Sequence, residues 1–214
     1  MEVINEEKID ASKNRLFVDM DGTLAKFTPV EQLETLYEEG YFYNQKPLEN
    51  VVDAIKDIIS NHESEVEVYI LSAYLTDSQY ALQEKNNWLD KYLPELPKEN
   101  RIFMSCGDDK KLYIPQGIRS DDWLLDDYTK NLVLWQPPAR GIKLLNGINH
   151  TRGTWAHDRL SYQKEANDLA ADIISVMSGK QIRDIPPNAK TEVIDTEIQT
   201  LLSPFRDHKQ ILIK

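Results

Sequence analysis

The chain has 214 residues, 41% of them hydrophobic, which is enough to bury a sizeable core in one domain or in a domain carrying an insert. Its formal net charge of -11 argues against a large sequence-independent contact with DNA or RNA, because such contacts need lysine and arginine to neutralise phosphates. A single cysteine, Cys106, rules out an intramolecular disulfide framework; with neither a signal-like leader nor a run of membrane-spanning length, a cytoplasmic protein without membrane or nucleic-acid polymer as partner is expected.

Residues 1–14 are polar, and the first strand is expected at Arg15 to Val18, leading directly into Asp19 and Asp21. Successive strand side chains alternate, so two acids one residue apart share a side of the backbone. Gly22 then permits a sharp turn, having no Cβ to clash. Two such carboxylates repel each other unless a cation or a shared proton relieves them. The bland alternative is a pair of acids capping an Asp-Gly turn.

Thr28, Pro29 and Glu31 read as an N-cap, a first-turn proline and a capping-box acid, predicting a helix with Val30, Leu33 and Tyr37 on one face and Gly40 at its end. The aromatic triplet Tyr41-Phe42-Tyr43 falls in a connection, and a second helix is expected from near Pro47, with Leu48, Val51, Val52, Ile55 and Ile59 along one face. Val66 to Leu71 is an apolar, β-branched run, a buried strand ending at Ser72, and Thr76 to Tyr92 reads as a helix. Arg101 to Met104, Trp123 to Leu125 and Leu132 to Trp135 are expected as three further strands, the middle one running into Asp126-Asp127. Strands alternating with helices predict an α/β protein: a three-layer, Rossmann-like, mostly parallel sheet. Beyond Pro137-Pro138, residues 141–155 suggest a small strand pair or loop. Ala166, Leu169, Ala170, Ile173, Ile174 and Met177 then form a helical stripe ended by Gly179, and a tail follows, with a weaker helix around 192–202.

Parallel strands bring their carboxyl ends to one edge, where open α/β sheets hold their ligands. That edge would collect Asp19, Asp21, Ser72, Asp126 and Asp127, with a lysine from Gly107-Asp108-Asp109-Lys110-Lys111. Carboxylate oxygens suit Mg²⁺, a lysine suits phosphate oxygens, and a remaining carboxylate can attack phosphorus. Asp121-Asp122 is a rival acidic pair, expected on the solvent side because it precedes its strand, and Asp108 and Asp109 are expected as turn residues.

Asp19-Met20-Asp21-Gly22-Thr23 after a strand, a strand-end Ser72, Lys110, and Leu124-Leu125-Asp126-Asp127 resemble the four motifs of the haloacid dehalogenase superfamily. More narrowly, Asp19 to Phe27 is similar to the opening of the 5'(3')-deoxyribonucleotidases, and Tyr41-Phe42-Tyr43 with Lys46-Pro47-Leu48 resembles that family's aromatic segment and Pro-Leu helix start. The likeness covers about Arg15 to Trp135. It implies a core of residues 1–24 and 65–160, a small helical cap at 25–64 inserted after the first strand, and leaves 161–214 as a C-terminal helical extension or tail. It also implies a magnesium-dependent phosphomonoesterase acting on nucleoside monophosphates through an aspartyl-phosphate. By that resemblance Asp19 is the nucleophile and Asp21 the acid and base; Ser72 and Lys110 hold the phosphate. Lys110 is preferred to Lys111 for the Gly-x-x-Lys spacing seen in relatives. Asp19, Asp21 (through its main-chain carbonyl) and one or both of Asp126 and Asp127 hold the metal, and Phe27, Tyr41, Phe42 and Tyr43 embrace the base. Thr23 in place of the mammalian enzymes' valine, the extended loop between Lys110 and Trp123 and the C-terminal region depart from the family pattern. Two alternatives stand beside this: a related phosphatase of another small phosphoester, and a binding protein of the same fold without activity.

Overall fold

A computed structural model describes residues 13–28, 30–148 and 155–185; Pro29, the Pro186-Pro187 pair and the expected helix at 192–202 lie outside them. The β-branched and apolar runs form β1 (Asn14–Val18), β2 (Val66–Tyr74), β3 (Arg101–Ser105) and β4 (Asp122–Asp126), joined by β5 (Arg140–Leu145) and β6 (Arg159–Ser161). They make one sheet in the order β3-β2-β1-β4-β5-β6, with every neighbouring pair parallel. From β1 the chain winds outward through β2 and β3, then returns to β4 on the other side of β1. The carboxyl ends of β1 and β4 therefore flank the point where winding reverses, the crevice in which such sheets bind ligands.

Strand alternation sorts the core into two halves. Leu16 and Val18 face the same side as Val68, Ile70, Trp123 and Leu125, where α1 (Glu49–Asn61), α2 (Ala81–Tyr92) and α4 (Ala166–Met177) pack. Phe17, Tyr69, Leu71 and Leu124 face the other side, against Leu132 and Trp135 of α3 (Thr129–Trp135). Segments assigned from sequence to the cap (25–64) and to the extension (161–214) thus contribute α1 and α4 to the core. Val51, Ile55, Ile58, Leu169 and Ile173 are fully buried there.

Three local expectations are corrected. Leu132 to Trp135 is helical, not a strand: Leu132 and Trp135 are buried while Val133 and Leu134 are exposed, an i, i+3 pattern rather than alternation. The strand expected there is instead β5, with every residue after Arg140 buried. In place of the helix expected after Thr28, residues 30–40 contain a single 3-10 turn, Leu33–Tyr37, in which only Leu36 is buried. With so little apolar surface to pack, a ten-residue helix has too little to hold it. Helix α2 begins at Ala81 rather than Thr76 because Ser78 Oγ accepts hydrogen bonds from the N–H groups of Tyr80 and Ala81 and turns the preceding chain.

Asp122 is likewise buried rather than solvent-facing. The register pairs it with Arg15, whose Nε and Nη2 donate to its two oxygens at 2.7 and 2.6 Å. Asp121 is the exposed member of the pair. Among the described residues no helix is long and apolar enough to cross a membrane.

Candidate active site

The first acidic loop is shaped by its own backbone. Asp19 N–H donates to Leu125 O at 3.0 Å, stitching the end of β1 to β4, and Met20 O accepts from Leu24 and Ala25. Gly22 has φ +85°, and a Cβ there would lie 2.4 Å from Asp127 Oδ2. Glycine is thus needed both for the turn and for the approach of the second acidic loop. Gly22→Ala is expected to cost about 1–2 kcal/mol from the backbone alone and to displace Asp127, so thermal melting and metal-dependent turnover should fall together. Unchanged kinetics would show that the position of Asp127 is not critical.

Lys110 sits at the centre of the charge cluster. Its Nζ lies 2.6 Å from Asp19 Oδ1, 2.9 Å from Asp126 Oδ2 and 2.7 Å from Leu71 O. It is delivered by the 3-10 turn Lys110–Tyr113, whose start is capped by Asp109 accepting from Lys111 N–H, as befits a turn residue. Lys110 is buried and Lys111 is not.

The acids at the end of β4 are held differently from each other. Asp126 accepts from Tyr128 N–H at 2.7 Å through Oδ1, and from Asn131 Nδ2 at 2.9 Å and Lys110 through Oδ2. Asp127 Oδ2 accepts from Asn146 Nδ2 at 2.7 Å, its N–H donates to Thr23 Oγ1, and its carbonyl accepts from Lys143 Nζ. Asn146 also donates to Gly22 O, tying both acidic loops to the end of β5. Asp19, Asp126 and Asp127 each offer an oxygen, the three within 4.8 Å of one another and all buried, an arrangement able to hold a metal ion. The carboxylate of Asp21 stands outside this trio and accepts from Lys85 Nζ.

Burial pushes the carboxyl of Asp19 up to about 8; Lys110 opposes this, while Asp126, Asp21 and Asp127 add to it. Burial works against the charge of Lys110, but Asp126 and Asp19 outweigh it and raise its pKa above the ordinary lysine value. Three buried carboxylates outnumber the two buried lysines beside them, Lys110 and Lys143, a balance that favours taking up a proton or a cation.

Ser72 is fully buried, and its Oγ accepts from Lys85 Nζ at 3.2 Å. Of the aromatic residues, Phe42 is buried, with Lys85 Nζ 4.9 Å from its ring centroid, and Tyr41 meets Phe42 edge-on. Burial and then the charge of Asp21 push the Tyr41 phenol up to about 12, so Tyr41 stands within reach of the acids' field. Phe27 is half-buried. Tyr43 turns away, lying against Lys91 nearly two helical turns beyond Lys85. A cavity of about 540 Å³ opens beside Tyr41, lined by Lys26, Thr28, residues 38–41 with Glu38 and Glu39, and residues 44–46; none of the clustered aspartates, Ser72 or Lys110 lines it.

Lys85, Glu84, Lys143 and Asn146 were not foreseen. For the first two a signal exists: Ala81, Glu84, Lys85 and Trp88 are the buried i, i+3, i+4, i+7 stripe of α2, so an acid and a lysine occupy positions reserved for apolar residues. Asn146 carries no such mark.

Among curated proteins nothing matches the chain. A family model described as 5' nucleotidase, deoxy (pyrimidine), cytosolic type C matches residues 23–176, from just after Asp21 into α4. That span is well over half of the chain, and its fold is the Rossmann-like α/β sheet found here. The chain therefore belongs to the cytosolic type C deoxy(pyrimidine) 5' nucleotidase family of haloacid dehalogenase fold, whose members are hydrolases acting on phosphoric monoesters.

Proposed function

We propose that the protein is a magnesium-dependent 5'(3')-deoxyribonucleotidase that hydrolyses nucleoside monophosphates, deoxypyrimidine ones above all, through an aspartyl-phosphate on Asp19. The observation that carries this reading is Lys110 held between Asp19 and Asp126, with Asp127 in ligand range, in a chain of this family. A carboxylate oxygen of Asp19 attacks phosphorus as the bond to the ester oxygen breaks, and Asp21 gives its proton to the departing alkoxide. Asp21 then takes a proton from the water that cleaves the acyl phosphate. Lys85 Nζ holds Asp21 in position for both transfers. Ser72 and Lys110 receive the phosphate oxygens.

The donor set fits Mg²⁺, which prefers hard oxygens and few protein ligands. The metal would be held by Asp19, the Asp21 main-chain carbonyl and one or both of Asp126 and Asp127, whose oxygens with that of Asp19 lie within 4.8 Å of one another. When bound, the ion would offset the surplus carboxylate charge and that of the transferring phosphoryl group. Residues 26–47 act as the cap, and Phe27, Tyr41 and Phe42 face the nucleoside. Tyr43, pointing at Lys91, contributes least. A cytoplasmic location is part of the same proposal.

The test is phosphate release from deoxy- and ribonucleoside 5'- and 3'-monophosphates and from sugar phosphates, with magnesium and with chelator. Turnover favouring deoxynucleotides is expected, with chelation lowering it by about two orders of magnitude or more. Equal or better turnover of sugar phosphates would replace the nucleotide by another small phosphoester. Silence across the panel would leave a binding protein.

A further inference from the structure

We propose that Glu84 is the positioning residue that fixes the nucleoside-facing segment against the reacting acids, and so sets selectivity for the nucleoside half of the substrate. This rests on the assignment of Tyr41 and Phe42 to the nucleoside.

Glu84 is a buried carboxylate whose partners are backbone N–H groups. Its Oε1 accepts from Gly40 N at 2.5 Å, and its Oε2 from Phe42 N at 2.9 Å and Tyr43 N at 3.3 Å. Gly40 has φ +88°, which turns the chain so that these N–H groups converge on one anion. A buried carboxylate is costly unless such donors compensate it, and charge-assisted hydrogen bonds are the strong kind.

Helix α2 makes this more than a local satisfaction of charges. The next residue, Lys85, donates to Asp21 and to Ser72 and lies against the Phe42 ring. One turn on, Trp88 Nε1 donates to Gln45 O at 2.7 Å. One stretch of rigid helix thus grips the segment at Gly40, Phe42, Tyr43 and Gln45, and the general acid from the residue between. Gly40, Tyr41 and Gln45 are walls of the cavity of about 540 Å³. The Glu84–Lys85–Trp88 face thus joins the backbone bond from Lys26 N to Lys46 O in fixing the cavity wall relative to Asp21, and displacements near 1 Å in such positioning cost about a hundredfold in rate.

The test uses Glu84→Gln, which keeps size but removes the charge and replaces one acceptor oxygen by a donor. The Michaelis constant for deoxynucleoside monophosphates is expected to rise about tenfold, while kcat/KM for 4-nitrophenyl phosphate stays within about twofold. Glu84→Asp, which retains the charge, should recover part of the loss. Trp88→Phe removes one hydrogen bond to the same segment; it should give a smaller selective rise of about two- to threefold, and it carries the test if Glu84→Gln does not fold. Equal losses on both substrates, or an unchanged nucleotide Michaelis constant in both Glu84→Gln and Trp88→Phe, would overturn the proposal. Tyr41→Ala and Phe42→Ala separate the two levels. If they raise the nucleotide Michaelis constant and the α2 variants do not, only the role of Glu84 falls. If none of them does, the nucleoside assignment falls with it.

Discussion

Asp19→Asn is expected to lower turnover by at least about three orders of magnitude, because it removes the atom that attacks phosphorus and leaves the rest of the site in place. The variant should also fold, and the electrostatics say why. In the metal-free protein the Asp19 carboxyl is pushed from 3.8 up to about 8, chiefly by burial. Between those values the folded chain holds a proton that the unfolded chain has lost, so this group's contribution to stability falls as pH rises through that window. Asparagine carries no charge to desolvate. In chelator at pH 8 the variant should therefore melt at the same temperature as the parent or higher, with the difference closing toward pH 4. Melting curves at the two pH values, beside kinetics with magnesium, separate the outcomes. Retained turnover would remove Asp19 as nucleophile, and a collapsed melting temperature would reduce the kinetic loss to misfolding.

What the sequence makes legible follows from where the determinants lie. Asp19 and Asp127 directly follow β1 and β4, and Asp126 ends β4. Asp21 stands in the loop after β1, and Ser72 near the end of β2, which runs on to Tyr74, so knowing that the sheet is parallel is enough to bring them to one edge. Lys110 could be preferred to Lys111 only through the resemblance, whose Gly-x-x-Lys spacing it fits, and the structure brings it to Asp19 and Asp126. Helix α1 is readable because its stripe has the helical period over three turns. Strand β5 reads from sequence only as part of a strand pair or loop over residues 141–155, because Lys143 puts a charge inside an otherwise apolar run. That lysine is buried because its Nζ reaches Asp127 O and Thr129 Oγ1, contacts that no local pattern announces. Asp122 was misread for the same reason, since its partner Arg15 lies 107 residues away and only the register of β1 on β4 joins them. Glu84 and Lys85 were legible as charges on a buried stripe, but their partners, the 40–43 turn and Asp21, come from elsewhere in the chain. Sequence shows which groups can do chemistry; the side chains that orient them are found by tertiary contact.

Replacing Lys110 by methionine should produce the second large effect, on stability and on rate together. The lysine is the cation between Asp19 and Asp126, at 2.6 and 2.9 Å, and all three side chains are buried. Removing one partner of a buried ion pair costs about 3–5 kcal/mol, which in a domain of this size lowers the melting temperature by roughly 6–20 °C. Turnover should fall by about two to three orders of magnitude, since the substrate phosphate loses its fixed positive charge. The two consequences separate in the double variant Lys110→Met with Asp126→Asn. Deleting one of the stranded carboxylates removes much of the repulsion, so the melting temperature in chelator should recover by more than half, while turnover stays low because the phosphate still lacks its lysine. Saturating magnesium should likewise raise the melting temperature of the single variant more than that of the parent, the ion taking over the neutralisation that Lys110 supplied. Recovery of turnover along with stability in the double variant would make Lys110 a structural counter-ion only, and phosphate binding would then pass to Ser72 and the metal.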